Sequence, residues 1–509
     1  MNFFSKFEIH SKDNCATTKG FFIGAAEAEA EATTTPILLH DFFEDYLEVL
    51  PKFGQEKFIL LGRKGCGKSA IGEYIYQTAL QEANVFCAFV KKSDIDIESI
   101  VQIGQEEGIV IEQEMLYRWV ILTQLLKLFA KNEALKNHDI IKPLTKFYET
   151  NQGFVDIRNQ EVKEIIRENG FDVKIEHLRR AASLGCTNKI HTKESKAPFY
   201  KYLPTLEELV INILKKDVDN EYFLIFDDLD IDFDCNNSNS LNVLASLLRV
   251  AKSYNCDIFS RNGISAKIIL LLRTDIANRL LNHADTAKIF ASYAITLKWY
   301  EDLLRFNEKQ LLLRKFINRR IKINFLRKGL LLNYPDDAWT SFVDESSFIG
   351  DNKTGFKTIL DYTFYRPRDL VLFFKDLDRL ALPLPLTREK ILTLLLNNYS
   401  EEAINDLKNE LSTLLTSNEI ESILCSLRNF TRAPFDYMTL QSNLVKNGIS
   451  QACVGNVIKI LFDYSLIGNY SEENGVSFKF REKNGMICNL NTDESIILHN
   501  LLRAYFKHH

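Results

Sequence analysis

The sequence predicts an α/β protein built on a parallel sheet, followed by a helical lid and a C-terminal winged-helix-like domain. Three observations support this prediction. A short apolar strand at residues 57–61 runs directly into the glycine loop Gly62–Ser69 and then into an amphipathic stretch. Further apolar strands alternate with helix-like segments, which is typical of a parallel sheet with crossover helices. Beyond residue 300 the spacing of apolar residues becomes helical, until a hairpin signal appears near the C-terminus.

The loop Gly62–Ser69 has the pattern G-x-x-x-x-G-K-S of a phosphate-binding loop, in the expected strand–loop–helix context. Its glycines allow the positive φ that turns backbone N–H groups toward phosphate, and the helix N-terminus adds positive potential. Lys68 is expected to reach the β- and γ-phosphates, and the Ser69 hydroxyl to ligate Mg²⁺. The predicted nucleotide-binding residues are Gly62, Arg63, Lys64, Gly65, Cys66, Gly67, Lys68, Ser69 and Ala70.

Length and composition limit the class of protein. A chain of 509 residues is too long for one core, so two to four domains are expected. The net charge of −5 argues against a wholly basic nucleic-acid coat, although a local basic patch is compatible with it. The nine cysteines form no C-x-x-C pair, which indicates neither a disulfide framework nor a zinc site. Without a signal-peptide layout or a membrane-length apolar run, we predict a cytoplasmic protein that contacts no membrane.

Changes in pattern divide the chain into four predicted segments. An N-terminal segment, 1–45, contains a helix-prone Ala/Glu run. The P-loop core spans 46–300 and carries an insertion at about 132–200. A helical lid occupies 301–400, and three helices with a hairpin at 401–509 suggest a winged helix. Within the core, residues 84–90 read as a second strand and residues 112–131 as a helix.

Two carboxylates follow a third apolar strand at residues 221–226. Asp227, at the strand end, is expected to hold Mg²⁺ through water, and Asp228 to orient or deprotonate the attacking water. A strand that ends in carboxylates is what a phosphate-binding loop needs beside it to hold the metal. Parallel strands place their carboxyl ends at one edge of the sheet, so these acids and the loop should lie together.

Two arginines are candidate sensors of the terminal phosphate. Arg273 ends the apolar strand 267–272, although an ion pair with the nearby Asp275 is the alternative. Arg368 lies at the start of a helix in the lid, beside Asp369, which we expect to cap that helix. The predicted catalytic residues are therefore Lys68, Asp228, Arg273 and Arg368.

Two regions leave alternatives open. Residues 305–328 contain nine basic residues and one acidic residue, Glu308. They form either a solvated helix covering the core edge, a nucleic-acid track, or the source of an arginine for a neighbouring subunit. The third helix of the winged-helix unit, near residues 450–461, offers only Gln451, Asn456 and Lys459 to a base or phosphate. One lysine adds little affinity through counterion release, so a protein-contact or autoinhibitory role is favoured over DNA binding.

The order of these motifs resembles a group of bacterial P-loop ATPases related to the STAND and KAP branches and to origin-recognition-type AAA ATPases. The resemblance rests on Gly62–Ser69, residues 227–230, residues 273–275 and residues 366–369, together with the segment beginning at Gly24. It implies ATP and Mg²⁺ as cofactors and nucleotide-driven switching or assembly. Many such ATPases stand beside an effector in phage-defence loci, so the resemblance also implies a possible anti-phage setting. Asp228 replaces the glutamate usual in the AAA pattern, which suggests slow hydrolysis.

Three functions follow from these predictions. The first is a regulatory ATPase whose nucleotide state controls oligomerisation or an effector partner. The second is a DNA-binding or remodelling ATPase that uses the basic segment 305–328 and the winged helix. The third is a scaffold that binds ATP without useful turnover.

Overall fold

A computed structural model describes most of the chain and divides it into two compact units. The core unit is Asp45–Lys298, and the flanking unit combines the residues up to Glu44 with Trp299–His509. The described residues are 16–91, 97, 100–101, 112–135, 138–151, 171–186, 190, 194–229, 238–281, 285–301, 307–348, 353–473, 475–481 and 488–508. Asp230 and Arg305, which belong to two of the predicted motifs, lie outside them.

The core unit is built on a five-stranded parallel sheet. The sheet has the order β2-β5-β6-β1-β7, while β3 and β4 pair separately and antiparallel within the insertion. Residues of β1 and most of β6 are buried, as expected for strands covered on both faces. The strands are β1 (Ile59–Gly62), β2 (Val85–Lys91), β3 (Asp172–Lys174), β4 (Lys196–Pro198), β5 (Glu221–Asp227), β6 (Ala266–Arg273) and β7 (Ala294–Thr296).

Helices connect and cover these strands. Gly72 shows how closely the first of them packs, since a Cβ there would lie 3.1 Å from Leu271 and 3.2 Å from Phe89. A π-helical segment, Ser253–Phe259, continues one of the longer helices. The helices of the core unit are Val49–Phe53, Lys68–Gln81, Gln113–Lys131, Ile141–Thr150, Glu176–Gly185, Phe199–Lys216, Ser238–Lys252, Thr274–Leu280 and Thr286–Tyr293.

The described part of the predicted insertion packs into the same core. Trp119, on the helix Gln113–Lys131, contacts the ring of Phe147 at 6.2 Å and that of Phe199 at 5.2 Å between centroids. All three rings are buried. Burying such side chains contributes roughly 2–3 kcal/mol each, so these described elements form part of the domain core.

The flanking unit is mainly helical. Residues 388–411 form one continuous helical stretch, with a π-helical turn at Leu395–Tyr399, and this stretch runs across the boundary expected at residue 400. Its helices before the C-terminal domain are Ala28–Thr33, Leu39–Phe42, Leu312–Arg327, Trp339–Phe342, Gly355–Leu360, Pro367–Phe373, Leu377–Leu380, Arg388–Leu394 and Ser400–Leu411.

The last part of the flanking unit has a winged-helix arrangement, as predicted. Helices Ser417–Leu427, Tyr437–Lys446 and Val454–Asp463 precede the predicted hairpin of β8 (Ile467–Ser471) and β9 (Gly475–Ser477). An unpredicted strand, β10 (Ser495–Leu498), pairs with the other side of β8 and precedes the final helix Asn500–His508. Phe435 also joins this sheet through two backbone hydrogen bonds with Ile496, of 2.9 and 2.7 Å.

The fold class predicted from the sequence is therefore confirmed: an α/β P-loop core, a helical region and a C-terminal winged-helix-like domain. Among the residues that the structure describes, no helix combines the length and apolarity needed to cross a membrane.

Candidate functional site

The phosphate-binding loop connects β1 to the helix Lys68–Gln81. Gly65 and Gly67 adopt φ of 77° and 94°, which side chains other than glycine rarely tolerate. A Cβ on Gly67 would meet nothing within 4 Å, so backbone conformation, and not space, requires glycine there. The Lys68 ammonium donates to the carbonyl oxygens of Gly62 and Arg63 at 3.1 and 3.2 Å, which holds it inside the loop. The loop thus aims a cation and a helix N-terminus at one spot, the arrangement that binds phosphate.

Strand registers show which residues share an edge with this loop. Gly62 pairs with Arg273 across β1 and β6, and Asp227 pairs with Lys91 across β5 and β2. All four residues end their strands. In a parallel sheet these carboxyl ends line one edge, so the loop, the acid, the arginine and an additional lysine lie along that edge.

Asp227 is the most unusual group at this edge. It is 4% exposed, and its Oδ1 accepts from the Asp228 N–H at 2.8 Å, whereas its buried Oδ2 accepts no hydrogen bond within the described residues. Burial raises the pKa of Asp227 to about 6, and the charge of Asp228 adds to the rise. A polar contact with the Ser69 hydroxyl and the charge of Lys68 oppose it. A buried carboxylate oxygen without a donor needs an external partner.

The donor set beside Asp227 fits Mg²⁺. A carboxylate and a hydroxyl are hard oxygen ligands, and Mg²⁺ typically takes one or two protein ligands together with phosphate oxygens and water. Ser69 and Asp227 would supply those two ligands. Among the residues described, no group of three or more His, Cys, Asp or Glu side chains is placed to hold a metal ion.

Asp228, the predicted catalytic acid, faces a residue that the sequence analysis missed. Its backbone is in the left-handed region at φ 55°, which is uncommon for residues other than glycine. The Lys91 ammonium lies 3.3 Å from Asp228 Oδ2, and the two side chains are 25% and 33% exposed. The signal was present in the sequence, because Lys91 comes directly after the predicted second strand, 84–90.

Arg273 ends β6 next to Gly62, as the prediction requires, but it also forms the alternative ion pair. Its Nε and Nη2 donate to the two carboxylate oxygens of Asp275 at 3.1 and 2.6 Å. The guanidinium is only 5% exposed. This fork-to-fork geometry is among the stronger ion pairs in proteins, so phosphate sensing would have to compete with Asp275 or use the remaining donors.

Arg368 lies in the flanking unit, unlike the other predicted site residues. Its Nε donates to the Ala26 carbonyl at 3.1 Å, and its Nη1 lies 3.3 Å from Asp406. The neighbouring Arg366 is buried and pairs with Asp369 at 2.8 Å and with Glu410. Asp369 also accepts from the N–H groups at the helix start, which confirms the predicted cap.

Four arginines of the helix Leu312–Arg327 bind other groups of the flanking unit. Arg320 is buried, pairs with Glu31 and donates to the Ile23 carbonyl, while Arg319 donates to the carbonyls of Phe42 and Asp41. Arg327 donates to the Pro36 carbonyl, and Arg314 pairs with Asp337 at 2.8 Å. Four of the nine basic residues of the segment 305–328 therefore bind groups within the flanking unit, and Arg314 and Arg320 are neutralised by carboxylates. This reduces the charge available to a nucleic-acid track.

The third helix of the winged-helix domain presents a nearly neutral surface. Gln451, Asn456 and Lys459 are exposed, as expected, and Asp463 adds an opposite charge at the end of the helix. Base reading from a recognition helix needs several donors and flanking phosphate contacts. Within the described residues, this helix offers one lysine.

Comparison with known proteins finds only distant structural likenesses among those described here, so the site residues are assigned from the geometry of the chain. No family model matches the sequence, and no curated protein matches it either. Among solved structures, the chain is similar to Cdc6p from Pyrobaculum aerophilum, with a TM-score of 0.26 and 10% identity over 85% of this chain and 88% of that one. It is also similar to the ORC2 protein of Aeropyrum pernix in ADPNP–ADP complexes, with a TM-score of 0.27 and 11% identity over 91% and 92% of the two chains. Both likenesses are distant, so the P-loop NTPase fold of the core unit is assigned from its parallel sheet and the loop Gly62–Ser69.

Proposed function

We propose that this protein is a Mg²⁺-dependent ATPase that acts as a regulator, with its nucleotide state controlling self-association or an effector partner. The observation that carries the proposal is the meeting of Lys68, Ser69, Asp227 and Asp228 at one edge of the parallel sheet. Lys68 and the loop amides would neutralise phosphate charge, and Ser69 with Asp227 would hold the metal. Asp228 would orient the attacking water. Bound Mg²⁺ would spread the charge that develops on the transferred phosphoryl group.

Two features support a switch in preference to a fast motor. The catalytic acid is an aspartate, shorter by one methylene than glutamate, and it is paired with Lys91 at 3.3 Å. The shorter side chain and the ion pair both make Asp228 less able to orient or deprotonate the attacking water.

The anti-phage setting enters this proposal from the motif resemblance alone.

Steady-state phosphate release tests the enzymatic part of this proposal. The full chain should release phosphate from ATP slowly, only with Mg²⁺, and Asp228→Asn should abolish release while ATP binding persists. Ser422→Ala, a change in the flanking unit, serves as a control expected to leave turnover unaltered. Turnover that survives Asp228→Asn would remove this residue from catalysis, and ATP binding without any turnover would favour a scaffold.

Size-exclusion chromatography tests the regulatory part. The elution volume with a non-hydrolysable ATP analogue should differ from that with ADP if nucleotide state controls self-association. If both elute alike, the regulatory output must lie in a partner, and capture of that partner should then depend on the bound nucleotide. Partner capture that is indifferent to nucleotide would contradict the proposal.

DNA binding is the second candidate, supported by the winged-helix arrangement of residues 417–498. A salt titration with random-sequence duplex measures the number of phosphates contacted, because the slope of affinity against salt scales with that number. Lys315→Ala with Lys322→Ala is the appropriate variant, since both lysines retain surface exposure on the helix Leu312–Arg327. We expect a shallow slope, little changed by the variant. A steep slope that falls on substitution would instead favour the DNA-binding function.

A further inference from the structure

A cavity lies in the core unit, between the helices Gln113–Lys131, Phe199–Lys216 and Ser238–Lys252 and the π-helical segment Ser253–Phe259. Its volume is about 590 Å³, which is within the range of roughly 300–1,000 Å³ typical of small-molecule sites. None of the residues lining it belongs to the phosphate-binding loop or to the strand ends described above. The proposed ATPase function therefore leaves this cavity unexplained.

The inner part of the cavity contains two buried oxygens that lack a well-formed hydrogen bond. Tyr254 is 1% exposed, and its hydroxyl lies beside Glu207 and Arg118. Among the described residues, neither this hydroxyl nor Oε1 of Glu207 makes a hydrogen bond of normal distance and angle. The other carboxylate oxygen of Glu207 accepts from Arg118. Burial, followed by the nearby charge of Glu207, raises the pKa of Tyr254 well above its usual range. The phenol thus keeps its proton and lies near the carboxylate as a second polar group.

The wall that carries Tyr254 is held rigidly. The side chain of Asn255 forms two hydrogen bonds of 2.9 Å with the N–H and carbonyl of Ile268 in β6. The ring of Tyr254 also packs on Phe259, with centroids 5.6 Å apart. π-Helical turns in proteins are often found at functional sites. Here the π-helical segment places the hydroxyl of Tyr254 at the cavity, while the ring of Tyr254 packs on Phe259.

The outer part of the cavity carries charges of both signs. Arg249 lies 3.4 Å from Glu114, and both side chains are at least 40% exposed, so this pair can exchange partners with a ligand. Lys215 also lines the opening, is exposed, and has no ion-pair partner among the described residues. Apolar surface from Pro204, Ile211, Val250 and Ile258 lies between the two polar regions.

We propose that this cavity binds a small zwitterion of the α-amino-acid type, with its ammonium at Glu207 and Tyr254 and its carboxylate toward Lys215 and Arg249. The Glu207 oxygen only accepts hydrogen bonds, so a ligand that pairs with it must supply a donor. An ammonium supplies three, enough for the Glu207 oxygen and for the Tyr254 hydroxyl oxygen acting as an acceptor. A simple anion would leave that oxygen unpaired. A purely apolar molecule would offer neither buried oxygen a hydrogen bond. The apolar wall favours an aliphatic side chain.

Calorimetric titration and thermal shift of the full chain without nucleotide test this site. The standard α-amino acids serve as probes, with L-leucine expected to be among those that bind. N-acetyl-L-leucine lacks the ammonium and L-leucinamide lacks the carboxylate, so each should bind at least about tenfold more weakly, because each loses a charge-assisted hydrogen bond. The dipeptide L-leucyl-L-leucine separates a free amino acid from a peptide N-terminus as the ligand.

Three variants connect binding to this cavity. Tyr254→Phe removes only the buried hydroxyl and Lys215→Ala only the outer cation, and each should weaken L-leucine binding several-fold. Lys216→Ala is the matched control, since the neighbouring lysine does not line the cavity, and it should leave binding unchanged. ATP binding by all three variants should match that of the parent chain, which separates this proposal from the ATPase proposal. If no standard amino acid and no L-leucyl-L-leucine binds, or if binding survives both Tyr254→Phe and Lys215→Ala, the proposal is wrong.

Discussion

Lys91 restrains the predicted catalytic acid, and removing its charge should accelerate hydrolysis. The ammonium lies 3.3 Å from Oδ2 of Asp228, at the end of the strand adjacent to β5. An ion-paired carboxylate is less able to accept a proton from water or to orient it. The substitution Lys91→Met keeps most of the apolar stem and removes the charge, so it isolates this interaction.

The exposure of the pair determines the expected magnitude. The two side chains are 25% and 33% exposed, so solvent screens their attraction. Ion pairs of this kind contribute about 0.5–1 kcal/mol. Since about 1.4 kcal/mol corresponds to a tenfold change, releasing Asp228 should raise kcat by roughly 2- to 5-fold.

Phosphate release at saturating MgATP measures the effect. We expect kcat to rise in Lys91→Met with little change in KM, and Lys91→Arg to behave as the parent chain because it preserves the charge. A fall in kcat in Lys91→Met, reversed by Lys91→Arg, would show that the cation assists the reaction and would refute the proposed restraint.

Three other substitutions test the buried acid, the buried ion pair and the glycine of the loop. Burial raises the pKa of Asp227 from its usual value of 3.8 to about 6; the native state therefore binds the proton more tightly than the unfolded chain, and its charged form costs stability above pH 6. Asp227→Asn should raise the free energy of unfolding of the nucleotide-free protein at pH 7.5 by about 1–3 kcal/mol, measured by urea denaturation, and the gain should disappear as the pH falls toward 4. Glu31→Ala should leave the buried Arg320 without its carboxylate, lower the free energy of unfolding by about 3–5 kcal/mol and speed proteolysis near residues 24–44. Lys315→Ala, on the same helix as Arg320, should change the free energy of unfolding by less than about 0.5 kcal/mol. Gly67→Ala should cost about 1–2 kcal/mol through its φ of 94° and weaken ATP binding, and unchanged binding would mean that the loop conformation is not needed.

The motifs of the sheet could be predicted from the sequence because local patterns determine them. An apolar run followed by glycines or acids marks a strand end, and parallel pairing then places Gly62, Asp227 and Arg273 at one edge. The hairpin of β8 and β9 was predictable for the same reason, since its signal lies within about a dozen residues.

Partners distant in sequence could not be predicted. The contacts between Arg320 and Glu31, and between Lys91 and Asp228, join residues 289 and 137 positions apart. For the same reason, the charged segment 305–328 was compatible with an exposed, nucleic-acid-binding surface. The sequence shows that arginines are present, but it does not show which carbonyl groups they bind. The cavity at Tyr254 is a similar case: three helices form it, and no local pattern marks it.

Calorimetric titration of MgATP into the full chain measures directly whether the loop binds a nucleotide. We expect saturable heat with one nucleotide per chain, lost in Lys68→Ala and strongly reduced when Mg²⁺ is chelated. The absence of binding heat in the parent chain, or an isotherm unchanged by Lys68→Ala, would contradict the assignment of the loop Gly62–Ser69 as a phosphate site.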